Sequence, residues 1–213
     1  MLDFHLIIDY NKIYQYIIFK EVIMHQVPTV SADLALQMLK QGNAQYLTSN
    51  QGGGDISPEK RQDTLANGQH PYAVIVTCSD SRVIPEYIFH AGIGDLFIIR
   101  VAGNVIDDHQ LGSIEYAAEH LGIRLVVVLG HDHCGAVDAA INHDPDGYIK
   151  FITDEIRSAI GAETDDYRAC CLNVRHSVTQ IESSLEVQHE EELGLRVIGA
   201  LYRLESGKVE FEI

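Results

Sequence analysis

The chain has 213 residues, which is long enough for one α/β unit with a sizeable apolar core. Its 31 acidic and 15 basic residues give a formal net charge of −16 at pH 7, and this balance argues against partners such as nucleic acid or an anionic membrane. A chain of this size with four cysteines does not need a disulfide framework, so the composition favours a reducing compartment, the cytoplasm.

Residues 1–27 differ in composition from the rest of the chain. Charged residues such as Asp9, Lys12 and Lys20 interrupt their apolar residues, so we predict neither a signal peptide nor a membrane span. The spacing from Tyr10 to Ile18 suits a helix, but the β-branched and aromatic residue types also suit a strand. We expect either an arm packed on a partner subunit or a poorly ordered extension, followed by one domain over residues 28–213.

Helical and strand patterns alternate along the first half of that domain. Ser31 predicts the start of a helix that runs to about Leu47, and Ser57 followed by Pro58 predicts a second helix. The predicted elements that follow are a strand at about 73–78, a short helix near 85–91, a strand at 96–101, a helix capped by Asp107 or Asp108 and closed by Gly122, and a strand at 125–130.

The second half predicts more helices and a final hairpin. Helices are expected over 136–142 and near 148–160 and 166–183, and strands over 196–204 and 208–213 are joined by a turn at 205–207. The alternation of strands and helices implies parallel strands. We therefore predict an α/β fold with a central, mostly parallel sheet of about four parallel strands, an antiparallel C-terminal edge strand, and flanking helices.

Potential metal ligands follow two of the apolar strands. Cys78 comes directly after the first strand, while His131 and Cys134 follow the strand at 125–130. Parallel strands bring their carboxyl ends to one edge of the sheet, where open α/β sheets place their sites. Each residue alone is more often a buried thiol or a hydrogen-bonded histidine. Two cysteines and one histidine together predict a zinc site with its fourth position open for chemistry.

Asp80 and Arg82 extend the first of these segments. Residues two apart in an extended segment project to the same side, so the pair can form charge-assisted hydrogen bonds. A structural salt bridge at a loop is the ordinary alternative, but the position directly after Cys78 favours a role in chemistry. We expect Asp132 and His133 to be partly exposed, and we assign no metal role to His133.

The segment from Cys78 to Arg82, together with Gly130 to Ala136, closely resembles the paired motifs of the β-class carbonic anhydrases. The resemblance runs from about Ser31 to Ile213, and it leaves residues 1–27 out. It implies that residues 28–213 form a single catalytic domain, that the functional unit is a homodimer or a higher even oligomer such as a tetramer, and that the site lies near the subunit interface.

The resemblance also implies a cofactor, a reaction and the residues that carry them. Cys78, His131 and Cys134 would bind one Zn²⁺ per subunit, and the protein would be a zinc lyase that hydrates CO2 reversibly to bicarbonate and a proton. Zinc-bound hydroxide would be oriented by Asp80, which Arg82 keeps ionised. Apart from the resemblance, we expect backbone N–H groups near Gly103 to help to place the substrate. Since two thiolates cancel the formal charge of the ion, we expect activity to rise on the alkaline side of neutrality.

Several alternatives stay open at this point. Some members of the family have a closed state in which the aspartate leaves the arginine and becomes the fourth zinc ligand, which would make Asp80 a metal ligand. The relatives best known for closing hold bicarbonate in a pocket that uses Trp, and this chain has none. A non-catalytic zinc protein, such as a bicarbonate sensor or an assembly component, and an enzyme that hydrolyses COS or CS2 are the two competing functions. The Asp80–Arg82 pair argues against a non-catalytic zinc protein. Specificity for COS or CS2 would lie in the access tunnel to the site.

Overall fold

A computed structural model of the chain describes residues 29–49 and 53–213. Within these residues one sheet contains five strands in the order β2-β1-β3-β4-β5, with bounds β1 Ala73–Thr77, β2 Leu96–Arg100, β3 Leu125–His131, β4 Arg196–Tyr202 and β5 Val209–Phe211. The first four strands are parallel, and β5 pairs antiparallel with β4. The predicted α/β fold with its antiparallel C-terminal edge strand is confirmed.

Helices connect the strands and cover the sheet. Those that the structure describes are α1 Ala32–Thr48, α2 Pro58–Asn67, α3 Pro85–Ile88, α4 Asp108–Leu121, α5 Gly135–Asn142, α6 Ile149–Ile160, α7 Asp166–Glu182 and α8 Leu185–Glu192. A 3-10 turn, Ala102–Asn104, follows β2. The caps proposed from the sequence are present: the Ser31 hydroxyl accepts from the Leu34 N–H, and Asp107 caps α4. None of these helices is long and apolar enough to cross a membrane.

Strands β1 and β3 lie inside the sheet and are buried along their whole length. Side chains of a strand alternate between its two faces, so each strand contributes to a separate core on either side. Val74 and Val126 belong to the core on one face, whereas Ile75 and Val127 belong to the core on the other. This double burial explains why the two strands consist of continuous β-branched and apolar residues instead of alternating apolar and polar residues.

Helix α7 lies very close to the sheet at two glycines. A Cβ atom at Gly199 of β4 would come within 2.8 Å of Cγ1 of Val174, and one at Gly130 of β3 would collide with Cγ2 of the same valine. Glycine is therefore required at both positions for α7 to approach the strands. The contact fixes the helix against the carboxyl end of β3, where the candidate ligand His131 lies.

Two parts of the chain differ from the sequence predictions or lie beyond them. The sequence pattern does not predict α8, whose acid-rich residues lack an apolar stripe; the helix is held by its Ser184 cap, by buried Val187, and by a 2.8 Å ion pair between Glu190 and Arg124. The proposed arm at residues 1–27 lies outside the described residues, so it stays a prediction.

Candidate metal centre

Three potential metal ligands meet at the carboxyl end of the sheet. Cys78 follows β1, His131 is the last residue of β3, and Cys134 immediately precedes α5. One ligand atom from each lies within 4.8 Å of the other two. All three side chains are buried, so their polar atoms are shielded from bulk water. The structure thus brings together the three residues that the sequence analysis selected.

The hydrogen bonds of His131 leave one ring nitrogen free for a metal. Nδ1 lies 2.8 Å from the carbonyl oxygen of Asp132, and because a carbonyl can only accept, Nδ1 carries the proton. Nε2 then has a lone pair, and it is buried with no hydrogen-bond partner among the described residues. A buried polar atom without a partner is costly, and a metal ion at Nε2 would satisfy it.

The two thiols are set up to become ligands together. The N–H of Gly103 donates to Sγ of Cys78 at 3.3 Å. A hydrogen bond from Cys134 holds the pKa of Cys78 well below its usual range, and the same contact, with burial, raises the pKa of Cys134. Without a metal the pair therefore keeps one proton, which must leave when both sulfurs bind an ion. Two sulfurs and one imidazole fit a borderline-soft divalent metal.

Asp80 and Arg82 form a bidentate ion pair beside this cluster. Nε of Arg82 lies 2.9 Å from Oδ1 of Asp80, and Nη2 lies 2.7 Å from Oδ2. These hydrogen bonds lower the pKa of Asp80 to about 2, against the opposing effect of partial burial. Arg82 also donates to the carbonyl of His133 at 3.1 Å, which links the segment after β1 to the segment after β3. Asp80 is therefore an ionised acceptor held at the mouth of the cluster.

Arg100 braces the same segment and has no assigned role in the sequence analysis. At the end of β2, its Nε donates to the carbonyl of Cys78 at 3.2 Å and its Nη2 to the carbonyl of Asp80 at 2.7 Å. Both backbone groups belong to the turn that carries the thiol and the carboxylate. The available signal was its position, because Arg100 is the one charged residue in the otherwise apolar strand predicted at 96–101.

Asp132 corrects one expectation, because it is buried and not partly exposed. Only 4% of its surface is accessible, and its carboxylate accepts from the N–H of Leu204 and from Nε of Arg203, each at 2.8 Å. The residues that follow β4 supply both donors, and local sequence around Asp132 gives no sign of them. His133 is exposed, as expected, and its N–H donates to Asp166.

Gly103 lies against the cluster in a conformation that favours glycine. Its φ is +69°, and a Cβ atom there would come within 2.8 Å of Cδ1 of Ile156. Since the Gly103 N–H already donates to Cys78, a contact with substrate would have to use neighbouring groups of the turn, and that role stays a prediction. Cys170 and Cys171 pack in α7, as expected, and all four cysteines are free thiols.

Comparison with known proteins identifies the family. A family model described as "Carbonic anhydrase" matches residues 73–209. The carbonic anhydrase of Mycolicibacterium smegmatis is 35% identical over 199 residues, which cover 86% of this chain and 95% of the relative. Carbonic anhydrase 2 of Mycobacterium tuberculosis is 35% identical over 194 residues, which cover 85% of this chain and 93% of the relative.

Solved structures agree with the sequence matches. A tetrameric β-carbonic anhydrase of Sordaria macrospora has a TM-score of 0.67 at 25% identity, over 72% of this chain and 86% of that one. A β-carbonic anhydrase of Aspergillus fumigatus has the same TM-score at 30% identity, over 72% of this chain and 80% of that one. On these matches the chain belongs to the β-class carbonic anhydrase family.

Proposed function

We propose that this protein is a zinc-dependent carbonic anhydrase that converts CO2 and water reversibly to bicarbonate and a proton. The observation that supports the proposal most strongly is one arrangement: a buried ligand set whose His131 Nε2 has no partner among the described residues, next to an ionised carboxylate on Asp80. A purely structural metal site would need neither an open position nor this carboxylate.

Cys78, His131 and Cys134 are the proposed zinc ligands, with one ion per subunit. When bound, zinc would supply a Lewis acid that lowers the pKa of water from 15.7 toward roughly 7. Asp80 would accept a hydrogen bond from the attacking water and so turn the lone pair of that water toward CO2. Its two hydrogen bonds from the Arg82 guanidinium, with a third from the Arg82 backbone N–H, fix the carboxylate and keep it ionised.

The ion pair also bears on the open and closed states. Both carboxylate oxygens of Asp80 accept from Arg82 in the described structure, which supports a fourth position that Asp80 does not occupy. We propose that this open arrangement is the active one. A closed state in which Asp80 binds zinc would require its hydrogen bonds from the Arg82 guanidinium to break.

The exposed edge of the sheet and the cysteine ligands bear on the oligomeric state and the cellular location of the protein. Strand β2 is an edge strand, and its apolar residues Leu96, Phe97 and Ile98 are only half-buried within the described structure. We propose that a second copy covers this edge in a homodimer or a higher even oligomer, since an uncovered apolar edge strand invites pairing. Ligands that must stay as thiols suit a reducing compartment, so the cytoplasm is the proposed location.

Parallel assays with CO2, COS and CS2 test this function. Protein of known zinc content should hydrate CO2 rapidly and should act weakly or not at all on the two sulfur compounds. Cys171→Ser is the matched control for Cys78→Ser, because Cys171 is also a buried thiol but lies outside the cluster. Turnover of COS or CS2 in preference to CO2 would replace the proposed reaction, and binding of bicarbonate with no turnover would favour a sensor.

A further inference from the structure

The turn that donates a hydrogen bond to Cys78 adopts an unusual backbone conformation. Gly103 and Asn104 have consecutive positive φ values, +69° and +48°. The left-handed region is uncommon for a residue other than glycine, and two such residues in succession are not a local preference. Contacts from outside the turn must therefore hold the Gly103 N–H at 3.3 Å from Sγ of Cys78.

Helix α7 supplies those contacts from two positions one helical turn apart. Nδ2 of Asn173 donates to the carbonyl of Gly103 at 2.7 Å, and Oγ of Ser177 donates to the carbonyl of Asn104 at 3.0 Å. Both side chains are only 1% exposed, so water does not compete for these carbonyls. Close packing of Val174 on the sheet fixes the position of α7. The helix can therefore hold the turn in place.

Within the part of the chain that the structure describes, the side chain of Asn173 leaves one of its polar atoms without a hydrogen bond in the protein interior, and packing alone does not explain why an amide stands there. Its Oδ1 is buried and has no hydrogen-bond partner among the described residues. An amide with half of its hydrogen bonds unmade is expensive in a protein interior, and an apolar side chain of similar size would avoid the loss. The hydrogen bond from Nδ2 to the Gly103 carbonyl is therefore the best explanation for an asparagine at this position.

We propose that Asn173 is a positioning residue of the metal centre. It anchors the Gly103 carbonyl, and thereby fixes the turn so that the Gly103 N–H donates to the Cys78 thiolate. A hydrogen bond to a ligating sulfur draws negative charge away from it, so the sulfur donates less charge to the metal. In a site with two thiolate ligands, this keeps the metal more electrophilic. The inference rests on the proposed zinc ligation of Cys78.

Cobalt substitution provides the test, because Co²⁺ bound to thiolate shows a sulfur-to-metal charge-transfer band that responds to the charge on the sulfur. We would load wild-type protein, Asn173→Ala and Asn173→Leu with Co²⁺ and compare their near-ultraviolet spectra. Both variants should shift the band to longer wavelength at equal cobalt content. Their zinc forms should lose activity by roughly 10-fold or more.

Ser177→Ala is the matched control, since it also removes one buried hydrogen bond from α7 to the turn but leaves the Gly103 carbonyl paired. Its band should shift clearly less than the bands of the Asn173 variants, because the bond it removes holds the carbonyl of Asn104 and not that of Gly103, whose N–H donates to Cys78. Asn173→Leu guards against a folding defect, because it removes the unpaired Oδ1 and fills the space. If both Asn173 variants kept the wild-type band, or if Ser177→Ala shifted it equally, the positioning role would be wrong.

The same measurements separate this inference from the proposed function. A wild-type protein that binds Co²⁺ without a thiolate charge-transfer band would contradict the metal centre and overturn the inference with it. A wild-type protein with a normal band but no CO2 hydration would contradict only the proposed reaction, and the shift in the Asn173 variants would still decide the positioning role.

Discussion

Oδ2 of Asp80 lies 3.8 Å from Nε2 of His131, so an ionised carboxylate stands next to the unpartnered nitrogen of the candidate ligand set. The same oxygen accepts a 2.7 Å hydrogen bond from Arg82. With the proposed zinc bound, the carboxylate would be close enough to accept a hydrogen bond from a water on the ion, and its ion pair with Arg82 would oppose direct binding of Asp80 to the ion. One loop, the segment from Cys78 to Arg82, carries the thiol, the carboxylate and the guanidinium.

Asp80→Asn should keep zinc but lose most of the activity. The amide has nearly the same shape, but it is neutral and offers one acceptor oxygen, so it cannot receive both hydrogen bonds of Arg82 and that of the water. We expect the rate to fall on the order of 100-fold or more. Zinc content and CO2 hydration should be measured on the same sample. Asp154→Asn, at an exposed carboxylate that also pairs with cations, is the control. A fully active Asp80→Asn protein would show that the assigned role is wrong.

Cys78→Ser should lose zinc and activity together. A serine hydroxyl stays protonated near neutral pH and is a poor zinc ligand, and the remaining His131 and Cys134 supply only two donors. Metal analysis after dialysis against a weak chelator checks this result. The wild-type protein should release protons when zinc is added to the metal-free form, because Cys134 must deprotonate. Retention of one zinc per chain by Cys78→Ser would contradict the ligand set.

Asp132→Ala should destabilise the fold and weaken metal binding. It leaves the N–H of Leu204 without its acceptor and removes the ion pair with Arg203, for an expected loss of about 1–3 kcal/mol in the free energy of unfolding. It also loosens the backbone carbonyl that binds Nδ1 of His131. Urea unfolding and a competitive zinc titration measure the two effects. Asp138→Ala, an exposed carboxylate on α5, should change neither.

The stability lost in Tyr167→Phe should depend on pH in the alkaline range. Its hydroxyl donates to Glu210 at 2.8 Å, and this hydrogen bond, with burial, raises the pKa of Tyr167 from 10.0 to about 12. The folded state holds the proton more tightly than the unfolded state, so this stabilisation is complete below pH 10 and is lost as pH rises toward 12. Urea unfolding should show Tyr167→Phe less stable than wild type at pH ~9, with a smaller difference at pH ~11. An unchanged difference at the two pH values would contradict the assignment.

Much of the fold could be predicted because local signals and global structure agree. The continuous β-branched residues of β1 and β3 mark strands buried on both faces, and the Ser31, Ser57 and Asp107 caps mark helix starts. The three ligands could be predicted because parallel strands place their carboxyl ends together. The strand and cap signals each lie within a few neighbouring positions, and the grouping of Cys78 with His131 and Cys134 follows from the parallel order of β1 and β3.

The rest depends on contacts between distant parts of the chain. Asp132 is buried by donors from residues 203 and 204, and Asn173 reaches a turn about seventy positions earlier. Helix α8 is held by Arg124, which directly precedes β3. None of these partners leaves a pattern in the local sequence, so the residues that support the site became evident only when the strands and helices were packed together.

Stopped-flow CO2 hydration, measured as a function of bound zinc, tests the central claim most directly. The assay would be run at pH ~8.5, above the value of roughly 7 that is typical of water at catalytic zinc. We predict a fast rate that rises in proportion to zinc from the metal-free to the fully loaded protein and that Cys171→Ser retains. A fully zinc-loaded wild-type protein with no hydration above the uncatalysed rate would contradict the account.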